Sequence, residues 1–382
     1  MPERPTEQAP ASAVKPAATA GPAPRLAGVA PGLPLLGLVG LAVVVYFLPQ
    51  IIGGSLTAYN TIVVIAIFSV MAYGVDIVLS YLGEVSLGHT VFWAAGAYAA
   101  GIAGTRAGMG SWATLGVSIG VVGALALAIG LITLRTREFV FSLVTYATAV
   151  VGVGIASNWQ FLGGSNGISG VPLLDLSLFG LHLEPRTNQE FWPYAFGLLA
   201  FVVFLVARFR RSRLGVTALM VNQNPDLAVS LGVNQRLVRV LVFLFSAIVT
   251  GLAGWLYAYQ RAFVSADLFG TYFLILMLAA VVLVGRRVLI GPIVGVAIII
   301  GQQDFASAGG TGDQIIMGGV LAAVLLFWPR GLIGAWYALR GAARRAVGKG
   351  GAPPTNQARR HRKESESGHD LRDLAPPARQ AR

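Results

Sequence analysis

The sequence predicts an all-α integral membrane protein, a polytopic helical bundle of about ten transmembrane spans (8–10) with both termini cytoplasmic. Three observations carry this. Charged residues make up 12% of the 382 and hydrophobic residues 55%, whereas a soluble domain carries about 25% charged residues. Apolar stretches of about 20 residues, each long enough to cross the hydrocarbon of a bilayer, recur from Val29 almost to Trp328. The arginines, finally, fall in alternate loops. Backbone groups inside lipid must be satisfied within their own segment, so the spans are expected to be helices.

Taken in order, the first six spans are expected near 29–48, 60–80, 89–104, 112–134, 139–157 and 191–207. After a basic loop come 238–259, 268–284, 288–301 and 314–328. The stretches 89–104 and 288–301 are short and glycine-rich, the signature of a re-entrant or broken helix that protein must cover. With the N-terminus inside, the inner loops carry Arg135, Arg137, Arg208, Arg210, Arg211, Arg213, Arg236, Arg239, Arg286, Arg287 and Arg330. The outer loops carry Arg106, Arg186 and Arg261, the asymmetry of the positive-inside rule. Aromatic residues such as Trp112, Trp159, Trp192, Tyr257 and Tyr259 fall near span ends, where headgroups favour them.

This divides the chain into an N-terminal cytoplasmic tail over 1–28, rich in Ala and Pro and expected to be disordered, a transmembrane domain over 29–335, and a basic, mostly disordered cytoplasmic tail over 336–382. A cytoplasmic loop is expected over 208–239. Trp336 through Arg345 mixes apolar and basic residues, as a helix lying on a lipid surface does.

Several chemistries are excluded. There is no cysteine, hence no disulfide, thiol nucleophile or thiolate-bound metal. Lysine occurs only at Lys15, Lys349 and Lys363, none of them in a phosphate-binding G-x-x-x-x-G-K pattern. No paired-histidine spacing or nucleophile elbow is present. The net charge of +12 sits in short loops and a tail, so it reads as topology and contact with membrane lipid rather than nucleic acid. No catalytic or metal site is expected, and no cofactor bound by this chain.

Three segments stand out against the apolar background. The first, Gly83–Gly101, carries Gly88, Gly96 and Gly101 among many alanines, and small residues let helices approach closely. Ser86 and His89 add polar groups at its start, and Asp76 is the acid nearest to them within a span. The second, Gly163–Pro172, offers Gly163, Gly164, Asn166 and Gly167 as a flexible loop of amide and hydroxyl groups. The third, Ser212–Asn234, follows the arginine cluster and reads as one short amphipathic helix around Pro225–Leu231, started by Pro225 and ended by Gly232.

Ser86-Leu87-Gly88-His89 with Gly-Ala-Tyr at 96–98, the glycine-rich loop at 163–172, and the 212–234 element resemble the branched-chain amino acid ABC transporter permease family of the LivM type. The resemblance continues through Phe245–Tyr257, the Val264–Asp267 turn, Gly291-Pro292 and Phe327–Leu332, and spans about 60 to 335. It implies a permease that carries small amino acids by alternating access. Its partners would be two ABC ATPase subunits that use the ATP, a second similar permease and an extracytoplasmic substrate-binding protein. By the same resemblance Asn222, Pro225, Asp226, Leu227, Ser230, Leu231 and Gly232 form the ATPase-coupling helix. Asp76, Ser86, Gly88, His89, Gly163, Gly164, Asn166 and Gly167 are the candidate permeation path. Asp76 and Glu84 stand where the family usually has Asn and Gln, and Gly285-Arg286-Arg287-Val288 replaces its usual GGxGS turn. Urea or a short amide as the cargo, and a non-transporting membrane assembly subunit, are the alternative readings.

Overall fold

Two helices form the centre of the bundle, and the rest of the fold is arranged by what they touch. The computed structural model describes residues 44–51, 53–133, 138–177, 184–305 and 319. The tails, the expected span at 314–328 and the closing Phe327–Leu332 motif lie outside the described residues. The chain divides into Met1–Gly54 and Ser55–Arg382. In the first unit the described part is helix α1 over 44–51, which ends as Gly54 N–H donates to the Pro49 carbonyl at 3.0 Å.

The second unit holds α2 (Leu56–Ile77), which runs into a π-helical turn at Val78–Leu82, then α3 (His89–Ala107), α4 (Ser111–Thr133) and α5 (Glu138–Asn158). Helices α6 (Asn188–Arg211), α7 (Arg213–Gln223), α8 (Pro225–Ser230), α9 (Gln235–Arg261), α10 (Thr271–Val284) and α11 (Gly291–Phe305) follow. Strands β1 (Ile168–Ser169) and β2 (Phe263–Val264) pair antiparallel, Ile168 against Val264 and Ser169 against Phe263. Five of these segments are long and apolar enough to cross a membrane, and α10 and α11 are shorter apolar helices. The stretch expected as a span at 89–104, with a re-entrant or broken helix as the alternative, is one continuous helix of 19 residues, α3.

Helices α2 and α9 are central. Over their most apolar windows, 89% of the segment Leu56–Leu82 and 67% of Gln235–Arg261 are buried, against 22% for Ser111–Ile132 and Phe139–Asn158. Helix α2 is wrapped by α6, α9, α10 and α11, whereas α3 and α4 pack on α9. The small residues explain how the cores meet. A Cβ on Gly96 would overlap the Gly251 carbonyl, and one on Gly254 would overlap the Trp93 carbonyl, so α3 and α9 are in backbone contact. Gly74 of α2 makes a similar approach to Thr250 of α9. Among apolar tails no hydrophobic force pushes helices together, and close packing of this kind supplies the attraction.

Aromatic placement partly departs from the headgroup-belt prediction. Trp112 and Trp159 are exposed, but Trp192, Tyr257 and Tyr259 are buried. Polar tips on this stretch of α9 find partners inside: Tyr259 Oη and Thr114 Oγ1 are 2.6 Å apart, and Trp255 Nε1 donates to the same hydroxyl at 3.1 Å. These rings pack α9 against α4.

Gly96→Val and Gly254→Val are expected to destabilise the fold by roughly 1–3 kcal/mol each, the usual cost of overpacking. Gly116→Val and Gly120→Val, where an added Cβ meets nothing, are expected to be near neutral. The check is the midpoint of thermal loss of monodisperse protein in detergent.

Candidate functional site

The C-terminal ends of α2, α6 and α10 and the N-terminal end of α9 meet at one end of the bundle, to which α6 brings Arg210, α9 brings Arg239 and the turn after α10 brings Arg287. There the π-helical turn takes α2 out of regular geometry just after Asp76, which is buried and accepts from Ser80 Oγ at 2.6 Å. Arg287, in the turn after α10, donates its backbone N–H to Ser80 Oγ at 3.0 Å and its Nε–H to the Ser80 carbonyl at 3.1 Å. Its own carbonyl accepts from Arg210 at 2.7 Å. These contacts hold Arg287 at φ +65°, a left-handed backbone that costs a non-glycine residue about 1–2 kcal/mol. Both guanidinium charges lie within electrostatic range of Asp76.

One turn further on, Glu84 forms a buried ion pair with Arg239 of α9. Gly83, at φ +75°, brings the chain against Asn222 at the end of α7, and a Cβ there would strike the Asn222 amide. The segment between α6 and α9 thus touches the end of the central helix directly.

Residues 83–88 are not helical, and α5 satisfies their backbone. Thr145 Oγ1 accepts from Leu87 N–H at 3.1 Å, and Ser142 Oγ donates to the Val85 carbonyl at 2.6 Å. A side chain on Gly88 would run into the Thr145 carbonyl. His89 opens α3 fully buried, with Nδ1 at 2.7 Å from Ser86 Oγ and Nε2 at 2.9 Å from Ser246 Oγ. Both ring nitrogens are occupied, so Ser86 and His89 tie the start of α3 to α9.

The glycine-rich loop lies at the other end. Contacts from Val171 and Pro172 reach Gly101 and Gly104, and Gly104 stands fifteen residues along α3 from His89, about 22 Å. The candidate residues Asp76, Ser86, Gly88 and His89 are therefore gathered at one end, and Gly163, Gly164, Asn166 and Gly167 at the opposite one. The loop is a built cap rather than the flexible segment expected. Two 3₁₀ turns at Gln160–Leu162 and Gly164–Asn166 lead into β1, and Gly163, Gly164 and Gly167 all adopt positive φ. Glycine reads the same in a loose loop and in a tightly specified turn. Asn60, Asn188 and Gln260 form an amide cluster at this end, with Asn60 Oδ1 accepting from Asn188 at 3.3 Å and from Gln260 at 3.2 Å.

The 212–234 element is two helices rather than the single one predicted. Ser212 caps α7, whose run stops at Asn224 because Pro225 begins a new helix, with Asn224 Oδ1 accepting from Leu227 N–H at 3.0 Å. Gly232 at φ +78° and the Asn234 cap then redirect the chain into α9. Within this hairpin Leu227, Val229 and Leu231 are 50%, 58% and 64% exposed. Asp226 and Ser230 lie on the same short helix, Ser230 Oγ donating to the Asp226 carbonyl at 3.0 Å.

A further feature gave no sequence signal. Helices α3, α4 and α5 bound an apolar cleft of about 920 Å³, walled by residues such as Ala95, Val121, Leu125, Val144 and Val151, with Arg106 and Phe161 at the end nearest the glycine cap. Arg106 lies over the Phe161 ring at 4.9 Å.

A bundle of apolar helices with a cation-rich end, a helical hairpin exposed there and a capped far end defines a polytopic membrane permease. The sequence model described as "Branched-chain amino acid transport system / permease component" matches residues 57–328, and the chain belongs to that family. It is a membrane permease subunit of an ABC importer and a multi-pass protein of the inner membrane. Permeases of this family work with ATPase and binding-protein partners. The chain is 25% identical over 319 residues to the high-affinity branched-chain amino acid transport system permease protein LivM of Escherichia coli, covering 78% of this chain and 74% of that protein. It is 26% identical over 289 residues to the Salmonella typhimurium protein of the same name, covering 70% and 68%. A probable branched-chain amino acid transport permease protein LivH of Methanocaldococcus jannaschii is 25% identical over 235 residues, covering 58% and 71%. No solved structure matches.

Glu84→Gln and Arg239→Gln are each expected to destabilise the protein by about 3–5 kcal/mol, because each breaks a buried ion pair from one side. The double variant is expected to lose clearly less than the two together. Thermal midpoints of the four proteins in detergent check this.

Proposed function

We propose that this chain translocates branched-chain or similar small amino acids, coupled to a second similar permease, two ATPase subunits and one extracytoplasmic binding protein. The chain binds no cofactor of its own, and its partners use the ATP. It crosses the membrane about ten times with both termini cytoplasmic. The gathering of Arg210, Arg239 and Arg287 at one end of the bundle supports this orientation, since retained cations favour the cytoplasmic side.

The observation that carries the mechanism is the α7–α8 hairpin. It presents Leu227, Val229 and Leu231 outward on the arginine-rich end while Asn222 presses on Gly83. An apolar knob of this kind suits a cleft on an ATPase, and its other side is seated on the π-helical end of α2. Movement of the ATPase pair is delivered there, and the membrane domain alternates between states that the cargo and ATP favour unequally. Asn222, Pro225, Asp226, Leu227, Ser230, Leu231 and Gly232 form this device.

The test is uptake of labelled leucine and labelled urea into proteoliposomes holding the assembled importer, with and without ATP. ATP-dependent leucine uptake is expected. Urea uptake alone would keep the mechanism and change the cargo. Uptake of neither would contradict the transport reading. Leu227→Asp with Leu231→Asp is expected to weaken ATPase binding at least tenfold while leaving insertion intact, as pull-down of the ATPase and membrane extraction would show.

A further inference from the structure

The cleft between α3, α4 and α5 has one buried polar group that nothing in the fold uses. Tyr98 is one of its lining residues and is 4% exposed. Among the described residues its hydroxyl is buried without a hydrogen-bond partner. A hydroxyl removed from water without a partner is destabilising, so such a group is expected to have a ligand to meet. Phe in its place would pack the same ring against Phe269, whose centroid is 6.0 Å away.

We infer that this cleft is the part of the translocation route that holds a small zwitterionic amino acid with an apolar side chain, the Tyr98 hydroxyl hydrogen-bonding its charged end. The inference rests on the amino-acid transport reading and names the site within it. The walls suit the side chain: Ala95, Val121, Leu125, Val144 and Val151 are apolar. One charge of a zwitterion finds a complement beside Tyr98, and a cation stands at the far end of the cleft. Asp267 lies within electrostatic range of Tyr98. Arg106 lines the same cleft, and among the described residues no carboxylate pairs with it. Arg106 stands eight residues beyond Tyr98 on α3, about 12 Å along the axis. One amino acid does not span that distance, so Arg106 serves the mouth of the cleft and Tyr98 its interior. The cleft lies beside the glycine-rich cap, where Phe161 and Leu162 line its end, and this places its mouth on the face that a binding protein would approach.

The chain has no cysteine, so single introduced cysteines report without background. The assembled importer carrying Val151→Cys or Val121→Cys is treated with a charged, water-soluble methanethiosulfonate, with and without leucine-loaded binding protein. Phe204→Cys, exposed on α6 and outside the cleft, is the lipid-facing reference. The two cleft cysteines are expected to react at least tenfold faster than the reference, and leucine is expected to slow them. Tyr98→Phe is expected to raise KM for leucine about tenfold, the worth of one hydrogen bond to a charged group, with kcat and ATP hydrolysis unchanged. Cleft cysteines as inert as Phe204→Cys would mean that lipid fills the cleft, and would overturn the proposal. So would labelling that leucine does not slow, or an unchanged KM in Tyr98→Phe. Failure of the transport reading looks different. It appears as absent leucine uptake by the unaltered protein, and protection of the cysteines by leucine then still decides whether the cleft is a binding site.

Discussion

The backbone contact of α3 with α9 is the constraint on which the rest of this structure depends. In hydrocarbon, an apolar side chain gains nothing by leaving lipid for protein, so helices associate through close packing and shared polar groups. Gly96 against Gly251, Gly254 against Trp93 and Gly74 against Thr250 put three helices at distances no larger residue allows. Once α2, α3 and α9 are locked in that register, Ser246 meets His89 and Arg239 meets Glu84. The polar ties are a consequence of the packing, and they in turn hold the inner end together.

The same register explains how a solvent-facing hairpin is joined to a buried helix. Asn222 rests on Gly83, and one residue later Glu84 is held by Arg239. In the mechanism proposed above, load on α7 and α8 would reach α2 through a glycine contact and an ion pair, beside the π-helical turn at Val78–Leu82. Such turns recur at functional sites because they let a helix change its pitch locally. By contrast, α5 packs on the other helices only sparsely, and a cleft remains between α3, α4 and α5.

Much of this was legible in the sequence because it is local. Apolar runs gave helices α2 to α6 and α9 to α11, Pro225 and Gly232 bracketed a helix, and the glycine and alanine stripe over 96–101 announced a close crossing. Helix α7 (Arg213–Gln223) was missed because the segment was read for one short helix around Pro225–Leu231, although Ser212 is a cap signal in its own right. The π-turn at Val78–Leu82 has no residue signature that separates it from an ordinary apolar helix. Long-range pairs carry no local trace either: Glu84 and Arg239 are 155 positions apart. Two departures from the family pattern, Asp76 and the Arg286-Arg287 turn, looked unrelated in sequence, yet the fold brings Arg287 to Ser80 beside Asp76. The orphan hydroxyl of Tyr98 was invisible for the same reason, since Gly-Ala-Tyr reads only as a family motif until its neighbours are placed.

The central claim is mechanical: a glycine-packed core of α2, α3 and α9 stays whole while the α7–α8 hairpin transmits the partner's movement to the end of α2. Amide hydrogen exchange of the assembled importer, with and without a non-hydrolysable ATP analogue, tests it most directly, because exchange reports local opening segment by segment. The account expects exchange to change in 213–232 and in 78–88, with 92–101 and 247–258 equally protected in both states. Large changes across 92–101 and 247–258, with none in the hairpin, would contradict it.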